Sequence, residues 1–163
     1  MIKGRIWKFG DDIDTDQIYP GKYLPLTDKQ EMARHAMEGV PGAEKFIKEV
    51  QPGDIMVVGK NFGCGSSREH AGVAIKGLGV SLVIAESFAG IYYRNSINIG
   101  LPLLECKNIS SIKEGTIISV YPETGKIIDS ETGKEIYQAN PLANLELEII
   151  NAGGLLKFLI QNN

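Results

Sequence analysis

The sequence predicts an α/β fold, with a mixed sheet that is parallel in its first part and antiparallel in its second and is flanked by helices. Three observations carry that prediction. Near-continuous apolar runs of strand length recur at residues 54–59, 80–85 and 101–104, and such runs mark strands buried on both faces, as in a parallel sheet. Helical segments over 67–78 and 88–98, closed by Gly79 and Gly100, separate the runs and give a βαβαβ pattern with right-handed crossovers. Beyond them, 116–121, 126–129 and 134–138 are joined through Glu123-Thr124-Gly125 and Glu131-Thr132-Gly133, turn signals at hairpin spacing, so this part reads as a β-meander.

The remaining elements follow from periodicity and caps. Ile6, Trp7 and Phe9 among cations suit a first strand over 5–9, and the acidic stretch 10–16 reads as a loop. Thr27-Asp28-Lys29-Gln30 has capping-box spacing and precedes Met32, Ala33, Ala36, Met37 and Val40 on one face, which predicts a helix ending near Gly39. Pro41 opens a second, shorter helix that buries Phe46, Ile47 and Val50 before Pro52-Gly53. Asn140-Pro141 offers a cap and a first helical residue, and 155–160 forms a final apolar helical turn or two. No linker divides these parts, so one domain over residues 1–163 is expected.

Composition excludes several function classes. With 43% hydrophobic and 23% charged residues the chain is an ordinary folded protein. Its 17 Lys and Arg are scattered among 20 Asp and Glu, without the basic patch that a nucleic-acid partner requires. Neither a signal-peptide core nor a bilayer-length apolar run is apparent, so no membrane partner and a cytoplasmic location are expected. Cys64 and Cys106 are too few to ligate an iron-sulfur cluster or a structural zinc alone, so any metal must be held elsewhere.

The segment from Gly59 to Ala71 carries the chemistry, running from a buried strand through a glycine-rich loop into a helix. Unpaired N–H groups and the macrodipole at such a helix start favour anions. Ser66 and Ser67 supply hydroxyls at the cap, Gly65 lets the backbone approach a ligand, and the fork of Arg68 suits a carboxylate. Taken singly, two serines are commonly only caps and the glycines serve a tight turn. The density of polar groups, with Cys64, Glu69 and His70 beside them, exceeds what a turn requires. A phosphate-binding loop would place lysine before Ser66, a nucleophile elbow would place glycine at Cys64 and Arg68, and a dinucleotide fingerprint would end in glycine at Arg68. None of the three fits.

Asp14-Thr15-Asp16-Gln17-Ile18, Gly21-Lys22-Tyr23-Leu24 and the segment from Gly59 to His70 together resemble the small subunits of the aconitase-type hydro-lyases, the isopropylmalate dehydratases and homoaconitases. Ser87-Phe88-Ala89, Arg94-Asn95-Ser96 and Gly153-Gly154-Leu155 extend the resemblance over nearly the whole chain. It implies the swivelling β/β/α domain, which is a separate subunit in two-chain relatives. The partner would be a large subunit, in a heterodimer or heterotetramer, whose three cysteines hold a [4Fe-4S] cluster that binds the substrate hydroxyl and carboxylate. The isolated chain is expected to be able to self-associate.

Carried over by the resemblance, Ser66 is the general base that takes a proton from the carbon beside a carboxylate, its alkoxide stabilised by loop amides, the helix start and Arg68. Ser67 and Arg68 would bind the carboxylate of a small dicarboxylate substrate. Asp16 would orient the base or an arginine, an Asx-turn being its other role, while Glu69 and His70 support from the first helical turn. Cys64 reads as a small packing residue unless an exposed helix start lowers its pKa, and Cys106 as structural. Relatives with a third carboxylate on the substrate place an arginine after the Tyr-Leu pair, whereas here Pro25, Leu26 and Thr27 offer an apolar surface that suits a branched alkyl group. Isopropylmalate is therefore favoured over homocitrate or citrate, with a homoaconitase or dual-substrate enzyme as the alternative. From another class, a carboxylate-binding module without catalysis would reuse the same helix start.

Overall fold

In the computed structural model, which describes all 163 residues, β1 (Ile2–Lys8) joins two kinds of sheet. Its second half pairs in parallel with β2 (Ile55–Val58), Ile6 opposite Ile55 and Lys8 opposite Val57. Its first half pairs antiparallel with β5 (Ile117–Tyr121), Ile2 opposite Val120 and Arg5 opposite Ile117. With β3 (Leu82–Ala85), β4 (Leu103–Glu105), β6 (Lys126–Asp129) and β7 (Glu135–Gln138), the seven strands run in the order β4-β3-β2-β1-β5-β6-β7. The first four are parallel and the last three form the meander, as the apolar runs and the glycine turns predict.

Side chains alternate across this sheet, and both sets are apolar. Ile6, Ile55, Val57, Leu82, Ile84 and Leu104 join Ile118, Val120 and Ile127 in the core on one face. Trp7, Met56, Val58, Val83, Ala85 and Leu103 point the other way, into a larger core. That second core is roofed by α4 (Glu69–Gly77) through Ala71, Ala74 and Ile75, and by α5 (Gly90–Asn98) through Tyr92 and Ile97. No helix is long and apolar enough to cross a membrane.

Several elements differ from the sequence expectation. The acidic stretch ends in a short helix, α1 (Thr15–Ile18), because Asp14 accepts from Gln17 N at 2.8 Å while Gln17 Oε1 accepts from Asp14 N at 2.9 Å, a complete capping box. Helix α2 (Lys29–Ala33) has Asp28 as its N-cap without a side-chain bond and stops well before Gly39. Its continuation is diverted by tertiary backbone bonds, Met37 N to Ile18 O at 2.7 Å and Gly39 N to Gln17 O at 3.0 Å, so the apolar periodicity through Val40 is spent on turns. Helix α3 (Glu44–Glu49) buries Phe46 and only partly covers Ile47 and Val50.

At the far end, Asn140 does not cap a helix. Its N–H bonds to Glu105 O at 2.9 Å, holding the chain extended, and α6 (Asn144–Ala152) begins later, with Ala143 N donating to Glu146 Oε1 at 3.0 Å. Helix α7 (Leu155–Gln161) closes the chain, and a 3-10 turn, Ile109–Ser111, covers the smaller core.

Ile84 is fully buried in the central parallel strands, in the core opposite the helices. Ile84→Ala should lower unfolding free energy by about 2 to 5 kcal/mol, read as a shift of the urea midpoint with an unchanged slope.

Candidate active site

Because β1, β2 and β3 are parallel neighbours, the loops that leave their C-terminal ends emerge side by side, the place where open α/β sheets form clefts. Backbone bonds lace those loops together. Asp12 N reaches Lys60 O at 2.8 Å, Gly63 N reaches Ile13 O at 2.8 Å and Thr15 N reaches Cys64 O at 2.9 Å. The third loop joins through Phe62 N to Ser87 O at 3.1 Å and Ala89 N to Phe62 O at 2.9 Å.

Within the lacing, Gly63 is required by conformation and by space. Its φ is +83°, and a Cβ there would lie 2.3 Å from Cγ of Tyr92. The close approach lets α5 form the second wall of a cleft of about 140 Å³. The first wall is Thr15, Gly63, Gly65, Ser66, Ser67 and Arg68; the second is Ala89, Gly90, Ile91, Tyr92 and Asn95.

Ser66 and Ser67 are exposed at this cleft, and neither hydroxyl has a protein hydrogen-bond partner. They precede the helix cap instead of forming it. Arg68 is the N-cap of α4, in extended conformation and without a side-chain cap bond, because Arg68 N turns back to Ser66 O at 3.0 Å. The Ser66 carbonyl is thus held twice, since Oγ1 of the buried Thr15 also donates to it at 2.7 Å.

Arg68 is half-buried and aimed by protein groups. Its Nη1 donates to Asp16 Oδ1 at 2.5 Å and to Tyr19 O at 3.1 Å, which leaves Nη2 and Nε without a protein partner. Asp16 Oδ1 also accepts from Gly21 N at 3.0 Å. The bond from Arg68 first, then that from Gly21, holds the Asp16 carboxyl below its ordinary 3.8, so the pair is ionised at neutral pH and is lost only as pH falls through that lowered value.

Of the other candidates, Gly65 lines the cleft with φ +91°, and Glu69 is exposed on the first turn of α4. The half-buried His70 ring stacks on Tyr19, centroids 5.4 Å apart and planes 13° apart. Pro25, Leu26 and Thr27 lie outside the lining of the cleft, just after the 3-10 turn Gly21–Tyr23; Pro25 and Thr27 are exposed and Leu26 packs partly on the larger core. Thr15 and Asn95 belong to motifs of the resemblance, but the sequence assigns neither a role at the site. Asn95 shares an i, i+4 face with Ile91, a signal present in the sequence, whereas the partner of Thr15 lies 51 positions away.

Burial first, and then Asp14 and Asp12, pushes the Cys64 thiol up, and burial pushes that of Cys106 up to about 11. The helix start does not activate Cys64. Both thiols should alkylate far more slowly in the native chain than in urea at about pH 8, and rapid native labelling of Cys64 would contradict this environment.

A family model described as the aconitase C-terminal domain matches residues 9–108. The "Isopropylmalate/citramalate isomerase small subunit" of Methanocaldococcus jannaschii is 53% identical over 160 residues, covering 98% of this chain and 94% of that relative. A "3-isopropylmalate dehydratase small subunit 1" of Thermotoga maritima is 48% identical over 160 residues, covering 98% of this chain and 95% of the relative. A crystal structure of 3-isopropylmalate dehydratase from Methanocaldococcus jannaschii superposes with a TM-score of 0.90 at 47% identity, covering 99% of this chain and 94% of the other.

Proposed function

Because the chain belongs to the aconitase C-terminal domain family, we propose that it is the small subunit of a 3-isopropylmalate dehydratase, a hydro-lyase that moves a hydroxyl between neighbouring carbons of a branched dicarboxylate. The observation that carries this reading is the Ser66 hydroxyl, exposed in a cleft beside Arg68 with its own carbonyl pinned by Thr15.

In the first half-reaction Ser66 takes the proton from the carbon next to a carboxylate as hydroxide leaves the adjacent carbon. In the second, hydroxide adds to the carbon that lost the proton, and Ser66 returns its proton to the other, so that the base is regenerated. Serine is a poor base in water, so the site must stabilise its alkoxide. The free N–H groups at the start of α4 and the Arg68 cation are this chain's means of doing so. Arg68 Nη1 is committed to Asp16 and Tyr19, so Nη2 and Nε are the donors left for a substrate carboxylate, with Ser67 beside them.

The site needs a second protein. About 140 Å³ is small against the roughly 300 to 1,000 Å³ of ordinary ligand pockets. Nor do the residues present fit a [4Fe-4S] cluster: no group of His, Cys, Asp or Glu converges as a metal site, and Cys64 and Cys106 stand apart as free thiols, one half-buried and one buried. The cluster of the family belongs on a large subunit. Pro25, Leu26 and Thr27 lie outside the cleft that this chain forms alone, and we assign them to the alkyl side of the substrate in the two-subunit enzyme, where an arginine would be needed for a third carboxylate.

Reconstituted with a large subunit, the wild-type chain should convert isopropylmalate. Ser66→Ala should lower kcat by roughly 10² to 10⁴ while still co-eluting with its partner on gel filtration, and near-normal turnover would reject Ser66 as the base. Pro25→Arg should shift preference toward tricarboxylates, measured as the ratio of kcat/KM for homocitrate and isopropylmalate; an unmoved ratio removes the substrate argument.

A further inference from the structure

The turn after Gly21–Tyr23 is held by side chains that neither line the cleft nor enter the chemistry above. Tyr23 is the anchor. Its hydroxyl donates to Glu38 Oε1 at 2.5 Å, its ring stacks on His35 with centroids 3.6 Å apart, and His35 Nδ1 lies 2.7 Å from Glu38 Oε2. The Tyr23 carbonyl accepts twice, from the Tyr19 hydroxyl at 2.5 Å and from Leu26 N at 3.0 Å. The second bond closes a turn whose apex is the exposed pair Leu24 and Pro25.

Local preference does not select that turn. A proline biases the residue before it toward extended conformations, yet Leu24 sits at φ −55° and ψ −32° in the helical region. External contacts therefore decide its population. The Glu38 carboxylate, kept ionised by the bond from Tyr23 first, bridges the two stacked rings with charge-assisted bonds. The same strap is fastened at its start to the Ser66 loop, since Arg68 reaches both Tyr19 O and the carboxylate that holds Gly21.

We propose that Glu38, acting through Tyr23 and with His35, is a positioning residue for substrate selection, fixing the apex at Leu24 and Pro25 against which the alkyl group of a 2-alkylmalate packs. The inference rests on the isopropylmalate reading. A fixed apolar wall separates alkyl groups by how much of it they cover, so loosening it costs an isopropyl group more contact than a methyl group.

The test uses the two-subunit enzyme with isopropylmalate and citramalate as paired substrates. Glu38→Gln and Tyr23→Phe should each raise KM for isopropylmalate about three- to tenfold with kcat within about twofold, raise KM for citramalate less, and add nothing further when combined. Tyr23→Phe keeps the ring stack, so it reads the same bond should Glu38→Gln fail to fold. An unmoved ratio of the two KM values, or a fall in kcat with KM unchanged, overturns the role of Glu38. A wild-type complex that turns over neither substrate overturns the substrate reading and this inference together.

Discussion

The site depends on the backbone lacing of residues 12–15 to residues 60–66. Three N–H to carbonyl bonds and the Thr15 hydroxyl hold two segments about fifty positions apart in register, and the polar groups of the first wall of the cleft are placed by that register. It sets Ser66 at the surface and starts α4 at Arg68. It also brings Asp16 within reach of the guanidinium. Serving backbone donors with backbone acceptors leaves the Ser66 and Ser67 hydroxyls and most of the arginine fork uncommitted, free to meet a ligand.

The division of labour within the sheet explains how such a loop is tolerated. Both faces of the parallel strands are apolar and almost fully buried, so the strand ends are rigid and the loops inherit fixed starting points. Helix α5 is then drawn against Gly63 by the Tyr92 ring, and only a residue without Cβ at that position permits the approach. Rigid supports with irregular, glycine-bearing loops at one edge are how α/β sheets generate binding sites.

Much of this architecture was legible in the residues. Continuous apolar runs such as Ile55–Val58 announced buried strands, and Gly125 and Gly133 announced the hairpins. What was not legible was governed by distant partners. The apolar stripe through Met37 and Val40 has helical spacing, yet the amides of Met37 and Gly39 are claimed by Ile18 and Gln17, so α2 ends early. Asn140 looked like a cap until Glu105 took its N–H. A local signal also lies at the end of the acidic stretch, the Asp14 and Gln17 capping box that starts α1. At the site, the cluster from Gly63 to His70 stood out by density, whereas Thr15 acts only through a carbonyl that the sequence places far away.

Strand β1 is shared between two sheets formed at different separations along the chain, Ile6 with Ile55 and Ile2 with Val120. At a translation rate of roughly 5 to 20 residues per second, its first half waits some 6 to 24 seconds for the strand that covers it, and an unpaired edge is a template for wrong partners. Lys3 and Arg5 on that half put charge along the waiting edge, the kind of side chain that opposes edge-to-edge pairing with other chains.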